Sequence, residues 1–143
     1  MTETTVKRFT VDEANATLPY VRRIVEDIVA DYHRWRDCIY RYEMLAAASK
    51  SDEGETEEQV ALREDVDGIA QRINGFINEL SAVGCVFKGF EGGLVDFRSQ
   101  REGRDVFLCW KLGEEEVAHW HDVDTGFAGR QPLQPEPVMG ESS

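Results

Sequence analysis

The chain has 143 residues, 41 % of them hydrophobic, so it is long enough to bury one core without disulfide bonds. Its 28 acidic and 16 basic residues give a formal net charge of -12, which repels nucleic acid and anionic membranes. The three cysteines lack C-x-x-C spacing, the first residues lack the apolar run of a signal peptide, and nothing approaches the roughly 20 apolar residues of a membrane span. We therefore expect a cytoplasmic protein without a nucleic-acid or membrane partner.

The first predicted element is a long helix. Thr10 and Glu13 have the spacing of a capping box, which marks a helix start. From Leu18 to Leu45 apolar residues recur every three or four positions, which is a helical seam. Pro19 is tolerated near a helix start or at a kink, so the long helix is expected to begin or bend there.

A second helix follows with the same spacing. Its apolar seam runs from Leu62 to Val83, Thr56 is a candidate cap, and Gly84 is a typical helix stop. The polar residues 49–57 have nothing to bury and form the connection. Two seams of matching length joined by a short loop predict an antiparallel helical hairpin over about residues 11–83.

The first helix has more apolar surface than one partner helix covers. The additional apolar residues flank the seam at Ile24, Val29, Cys38, Tyr40 and Met44. Either the sheet or a second copy of the chain is expected to cover them. We therefore predict a homodimer that pairs through the hairpin.

After Gly84 the apolar period changes to two, which is typical of strands. Short glycine-containing turns separate the segments between about residues 85 and 123, so an antiparallel β-meander of three to four strands is expected. The fold class is then α+β, with a single domain over residues 1–133. Residues 134–143 are rich in Gly, Pro and polar residues and are predicted to be a disordered tail.

The alternation divides the sheet residues into two faces. One set is almost entirely apolar and should pack on the helices: Val95, Phe97, Val106, Leu108, Trp110, Leu112, Ala118 and Trp120. The other set is mixed: Leu94, Asp96, Arg98, Phe107, Cys109, Lys111, Val117, His119 and His121. The simplest register places Asp96, Cys109 and His119 in one cross-strand row, with His121 beside Phe107. This mixed face is either an ordinary wet face or one wall of a cleft.

Several chemistries are compatible with the mixed face. His119 and His121 lie on one side of a strand and could bind zinc, copper or iron, with Asp96 or Cys109 as a further ligand. His121 beside an aspartate could instead act in acid–base chemistry. Cys109 as a nucleophile would need His119 as its base, but its apolar surroundings favour an ordinary buried cysteine. The segment Gly126–Arg130 could hold a carboxylate or phosphate, or be a plain glycine turn with Arg130 in an ion pair.

Three stretches resemble a bacterial and archaeal family catalogued as domain of unknown function 2203. They are FTVDEANATLPYVRRIV near the start, GLVDF in the middle, and LCWKLGE followed by WHDVDTGFAGRQPL near the end. The resemblance extends from about Phe9 to Leu133. It implies a small stand-alone protein with a helix pair and a short sheet. It assigns no biochemical activity, because the family has no agreed role.

The resemblance also singles out individual positions. They are Glu13, Asn15, Pro19, Gly93, Asp96, Phe97, Trp110, Trp120, His121, Gly126, Phe127, Gly129 and Arg130. Two residues depart from the family pattern: Arg98 stands where proline is usual, and the family does not require histidine at the position of His119. The second departure weakens a metal site that depends on His119.

These observations favour a small binding or assembly protein with a polar pocket for a small anionic ligand or for a partner's carboxylate. The predicted ligand-binding residues are His121, Asp96, Arg130, Gly129 and Trp120. No cofactor is predicted apart from a candidate divalent metal, zinc or iron, at His119, His121 and Asp96. A metal-assisted or His-dependent hydrolase that uses the same three residues, and a purely structural coiled-coil adaptor, are the alternatives. The sequence identifies no protein partner and leaves enzymatic activity open.

Overall fold

A computed structural model describes residues 7–49 and 54–133 of the chain. Within these residues it shows two helices followed by a five-stranded antiparallel sheet of order β1-β2-β3-β4-β5, which confirms the predicted α+β class. The elements are α1 Val11–Ala48, α2 Glu57–Val83, β1 Cys85–Gly89, β2 Leu94–Arg101, β3 Arg104–Lys111, β4 His119–Asp122 and β5 Gln131–Pro132. A short 3₁₀ helix, Phe127–Gly129, precedes β5, a strand that the sequence did not predict. The predicted tail, residues 134–143, lies outside the described residues.

Helix α1 begins at the predicted capping box. The Thr10 hydroxyl accepts from the backbone N–H of Glu13, and the Glu13 carboxylate accepts from that of Thr10. Pro19 lies inside the helix and neither begins nor ends it. Because proline has no N–H, the carbonyl of Asn15 loses its usual helical donor, while the Asn15 side chain bonds both backbone groups of Val117. This ties α1 to the chain just before β4.

The second helix also follows its sequence signals. Thr56 caps α2 by a reciprocal pair of hydrogen bonds with Gln59, and Gly84 ends it with a φ of 111°. That angle lies in the left-handed region, which glycine adopts without steric cost. Among the described residues, no helix is apolar enough over a sufficient length to cross a bilayer.

The sheet packs its apolar face on the helices, as predicted. Val95, Phe97 and Trp110 are completely buried and join Val21, Val25 and Ile28 of α1 in one core. The predicted register is also confirmed, because Cys109 pairs with Asp96 on one side and with His119 on the other, and Phe107 pairs with His121. The residues of the mixed set that lie in strands are therefore on the opposite face of the sheet from the helices. Val117 is an exception, because it precedes β4 and is buried in the core beside α1.

Candidate metal centre

The mixed face is only partly exposed to solvent. Asp96, Cys109 and His121 project from the neighbouring strands β2, β3 and β4, and they are only 4 %, 1 % and 2 % exposed. One ligand atom from each of them, a carboxylate oxygen, Sγ and a ring nitrogen, lies within 4.8 Å of the other two. We call these three residues the Asp–Cys–His cluster. Other side chains of the same face, Arg98 and Lys111, are exposed, so burial is confined to part of the face.

The ring of His121 is held from both sides. Its Nδ1 lies 2.8 Å from the backbone carbonyl of Asp122, and its Nε2 lies 3.1 Å from Oδ1 of Asp96. A carbonyl oxygen can only accept, so Nδ1 must carry a hydrogen. A proton must then also lie between Nε2 and Asp96, because otherwise two lone pairs would face each other. In the absence of metal, the pair is either an imidazolium with a carboxylate or an imidazole with a carboxylic acid.

Burial controls the acidity of the other two members of the cluster. It raises the pKa of Asp96, and the neighbouring His121 opposes that shift. Burial also raises the pKa of the Cys109 thiol to about 11, with a further contribution from the Asp96 charge. The Arg130 guanidinium acts in the opposite direction by favouring the thiolate. At neutral pH, Cys109 is therefore a thiol unless a cation replaces its proton.

Arg130 approaches the cluster from the segment that follows β4. Its Nη2 donates to Glu114 over 2.5 Å, and its guanidinium carbon lies 4.4 Å from the centre of the Phe127 ring. Its Nη1 is buried and has no hydrogen-bond partner among the described residues. The side chain as a whole keeps 21 % of its surface exposed. Arg130 is therefore fixed in place but incompletely hydrogen-bonded.

Gly129 positions this segment and does not itself present a functional group. A Cβ at residue 129 would lie 2.5 Å from Cβ of Thr125, closer than packed carbon atoms approach. Glycine thus allows the 3₁₀ turn to close against Thr125. The turn places Arg130 directly after it.

The structure brings together some of the predicted site residues and separates others. Asp96 and His121 are in direct contact, and Arg130 lies beside Cys109. Trp120 lies on the helix-facing side of the sheet, where it is 7 % exposed under the guanidinium of Arg101. His119 stands next to Cys109 across the strands but is not a member of the cluster, and its buried Nδ1 has no partner among the described residues.

Sequence reasoning missed Glu114. This residue lies between β3 and β4, where the sequence predicts only a glycine-containing turn that separates two strands. Its carboxylate accepts from the backbone N–H of Lys111 and from Arg130, and these bonds lower its pKa against the opposing effect of burial. The expectation that Arg130 could pair with an acidic neighbour was general, and it did not identify which residue.

The helical hairpin, the meander and the buried cluster together define an α+β protein with a candidate ligand-binding centre on the outer face of its sheet. The chain belongs to the family described as uncharacterized conserved protein (DUF2203), whose model matches residues 7–133. No curated protein and no solved structure matches the chain.

Proposed function

We propose that the protein binds a divalent transition metal, zinc in the first instance, through Asp96, Cys109 and His121. The observation that carries the proposal is the approach of one oxygen, one sulfur and one nitrogen ligand to within 4.8 Å on three adjacent strands, all of them buried. Imidazole, thiolate and carboxylate are all established zinc ligands. Buried ionisable groups require pairing or a metal, and this cluster offers both.

The orientation of His121 supports the same proposal. Histidine ligands in metal sites typically donate their second ring N–H to a carbonyl or carboxylate, which fixes the ring and its tautomer. The contact of Nδ1 with the carbonyl of Asp122 is of this kind, and it leaves Nε2 directed at Asp96. The metal would replace the proton that this pair shares in the metal-free protein.

The charges of the proposed ligands also match that of a divalent metal ion. The Asp96 carboxylate and the Cys109 thiolate together carry two negative charges, which a divalent ion neutralises. Such a neutral unit is far less costly to bury than an isolated ion. Three protein ligands leave one position of a tetrahedral zinc ion open, as in zinc sites that bind an external molecule. This arrangement also accommodates the hydrolase alternative, with Cys109 in place of His119.

Metal analysis of protein expressed without a histidine tag tests the proposal. We expect one zinc ion per chain, and in the cobalt-substituted protein a near-ultraviolet absorption band from the bond between sulfur and cobalt. Cys109→Ser and His121→Ala should each weaken metal binding by at least about 100-fold, since losing an outer-shell contact alone costs about 10- to 100-fold.

His119→Ala is the matched control, because His119 is the cross-strand neighbour of Cys109 and is not in the cluster. This variant should retain its zinc. Wild-type protein that retains no metal after zinc loading would refute the proposal and favour the adaptor alternative. Loss of zinc from His119→Ala but not from Cys109→Ser would show that the ligands are His119, His121 and Asp96, as predicted from the sequence.

We also propose that two copies pair through the distal part of the hairpin. Among the additional apolar residues of α1, Ile24 is buried, but Tyr40 and Met44 are 61 % and 54 % exposed. Arg36 of α1 pairs with Glu91 in the turn between β1 and β2. Tyr40 and Met44 follow Arg36 on the helix and therefore lie further from this turn. A second hairpin would cover the exposed side chains.

Sedimentation equilibrium at micromolar concentration tests this pairing. The wild type should sediment as a dimer, and the double substitution Tyr40→Glu and Met44→Glu should give a monomer. Tyr20→Glu is the control, because Tyr20 is 52 % exposed on the proximal part of the same helix. A monomeric wild type removes the proposal.

A further inference from the structure

An N–H group of the Arg130 guanidinium without a partner in the part of the chain that the structure describes indicates that a second ligand, in addition to the metal, binds at this site. Nη2 of Arg130 donates to Glu114, and the guanidinium also contacts the Cys109 sulfur, which is a weak acceptor. Nη1 is buried without a hydrogen-bond partner among the described residues. A buried N–H without an acceptor costs free energy, so such a group usually has a partner in the functional state. Phe127 and Glu114 fix the guanidinium so that it cannot turn away to reach water.

Arg130 lies on the side from which an external ligand must approach. Asp96, Cys109 and His121 all project from one face of the sheet, so the open position of a metal held by them points away from the strands. The segment Phe127–Arg130 lies over that face, since the Phe127 ring is 5.9 Å from the ammonium of Lys111 and Arg130 adjoins the Cys109 thiol.

The local charge favours an anion. The metal with Asp96 and Cys109 would be neutral, and Arg130 is balanced by Glu114. Two ammonium groups add positive charge: Lys88 is close enough to lower the pKa of Asp96, and Lys111 lies 5.9 Å from the Phe127 ring. A small anionic ligand would reduce that charge.

We infer that the open metal position takes a small carboxylate, with one oxygen on the metal and the other accepting from Nη1 of Arg130. This inference rests on the proposed metal site. A carboxylate has two oxygens, so one can bind the metal while the other accepts from Nη1; chloride is a single atom and cannot do both. The Arg130 side chain is 21 % exposed, so a small anion would approach the centre along it.

Titration of cobalt-loaded protein with acetate tests the inference through the visible absorption of the metal. We expect a saturable spectral change, and we expect Arg130→Gln to bind cobalt with wild-type stoichiometry but acetate about 10- to 100-fold more weakly, as for the loss of a hydrogen bond between charged groups. Arg36→Gln is the control, because Arg36 is an exposed arginine paired with Glu91 on the other side of the molecule from the cluster. Its acetate affinity should equal that of the wild type.

The outcomes separate the inference from the proposal on which it rests. If cobalt binds but acetate produces no saturable change, or if Arg130→Gln binds acetate like the wild type, the inference is wrong and the metal site stands. An equal response to chloride at the same ionic strength would overturn the choice of a carboxylate. Loss of cobalt from Arg130→Gln would make Arg130 a positioning residue for Cys109 and overturn the inference. Failure of the wild type to bind cobalt would remove both.

Discussion

Replacing Trp110 with alanine should destabilise the protein by about 3–5 kcal/mol, the usual cost of removing a large aromatic side chain from a core. Trp110 is completely buried, and its indole N–H donates to the backbone carbonyl of Glu114 over 2.9 Å. The substitution therefore creates a cavity and also loosens the turn that carries Glu114. Urea denaturation followed by circular dichroism measures the change in the free energy of unfolding.

A valine on the solvent side of the molecule provides the comparison. Val123 follows β4 and is 55 % exposed, so Val123→Ala should change stability by less than about 0.5 kcal/mol. A loss below about 1 kcal/mol for Trp110→Ala would mean that this face of the sheet does not form the core. The assignment of Asp96, Cys109 and His121 to the outer face would then fail as well.

The fold could be predicted because its signals are local. The capping box at Thr10, the cap at Thr56, the stop at Gly84, and the change of apolar period from helical to alternating all act within a few residues. Pro19 was harder to interpret, because the continuity of a helix through a proline depends on the packing around it, here the bonds from Asn15 to Val117. Strand β5 has two residues and carries no periodicity to detect.

The candidate site could be predicted only in part. Alternation and register placed Asp96, Cys109 and His119 in one row, and that row is correct. Whether the ring of His119 or that of His121 contacts Asp96 depends on side-chain torsions and on the carbonyl of Asp122. Residue spacing predicts neither of these. The burial of the cluster within a partly exposed face also depends on a segment that folds back from residues 126–130.

The contact between His121 and Asp96 is important for stability even without metal. Asp96→Ala should destabilise the metal-free protein by about 2–4 kcal/mol, because it leaves Nε2 of a buried imidazole without a partner and opens a small cavity. Both side chains are at most 5 % exposed, so water cannot replace the lost contact. Unfolding in urea with a chelator present measures this cost.

Asp96→Asn separates the hydrogen bond from the charge. The asparagine amide has nearly the size of the carboxyl group and can donate an N–H to Nε2 while Nδ1 of His121 still donates to the Asp122 carbonyl. If the metal-free pair is an imidazole with a carboxylic acid, Asp96→Asn should lie within about 1 kcal/mol of the wild type, because one neutral donor replaces another. If the pair is an imidazolium with a carboxylate, Asp96→Asn should cost more than about 1 kcal/mol but less than Asp96→Ala, because a neutral hydrogen bond replaces a charged one and no cavity opens. In both cases Asp96→Asn should lose metal affinity, since an amide is a poorer ligand than a carboxylate. An Asp96→Ala protein as stable as the wild type would show that the contact between His121 and Asp96 does not form.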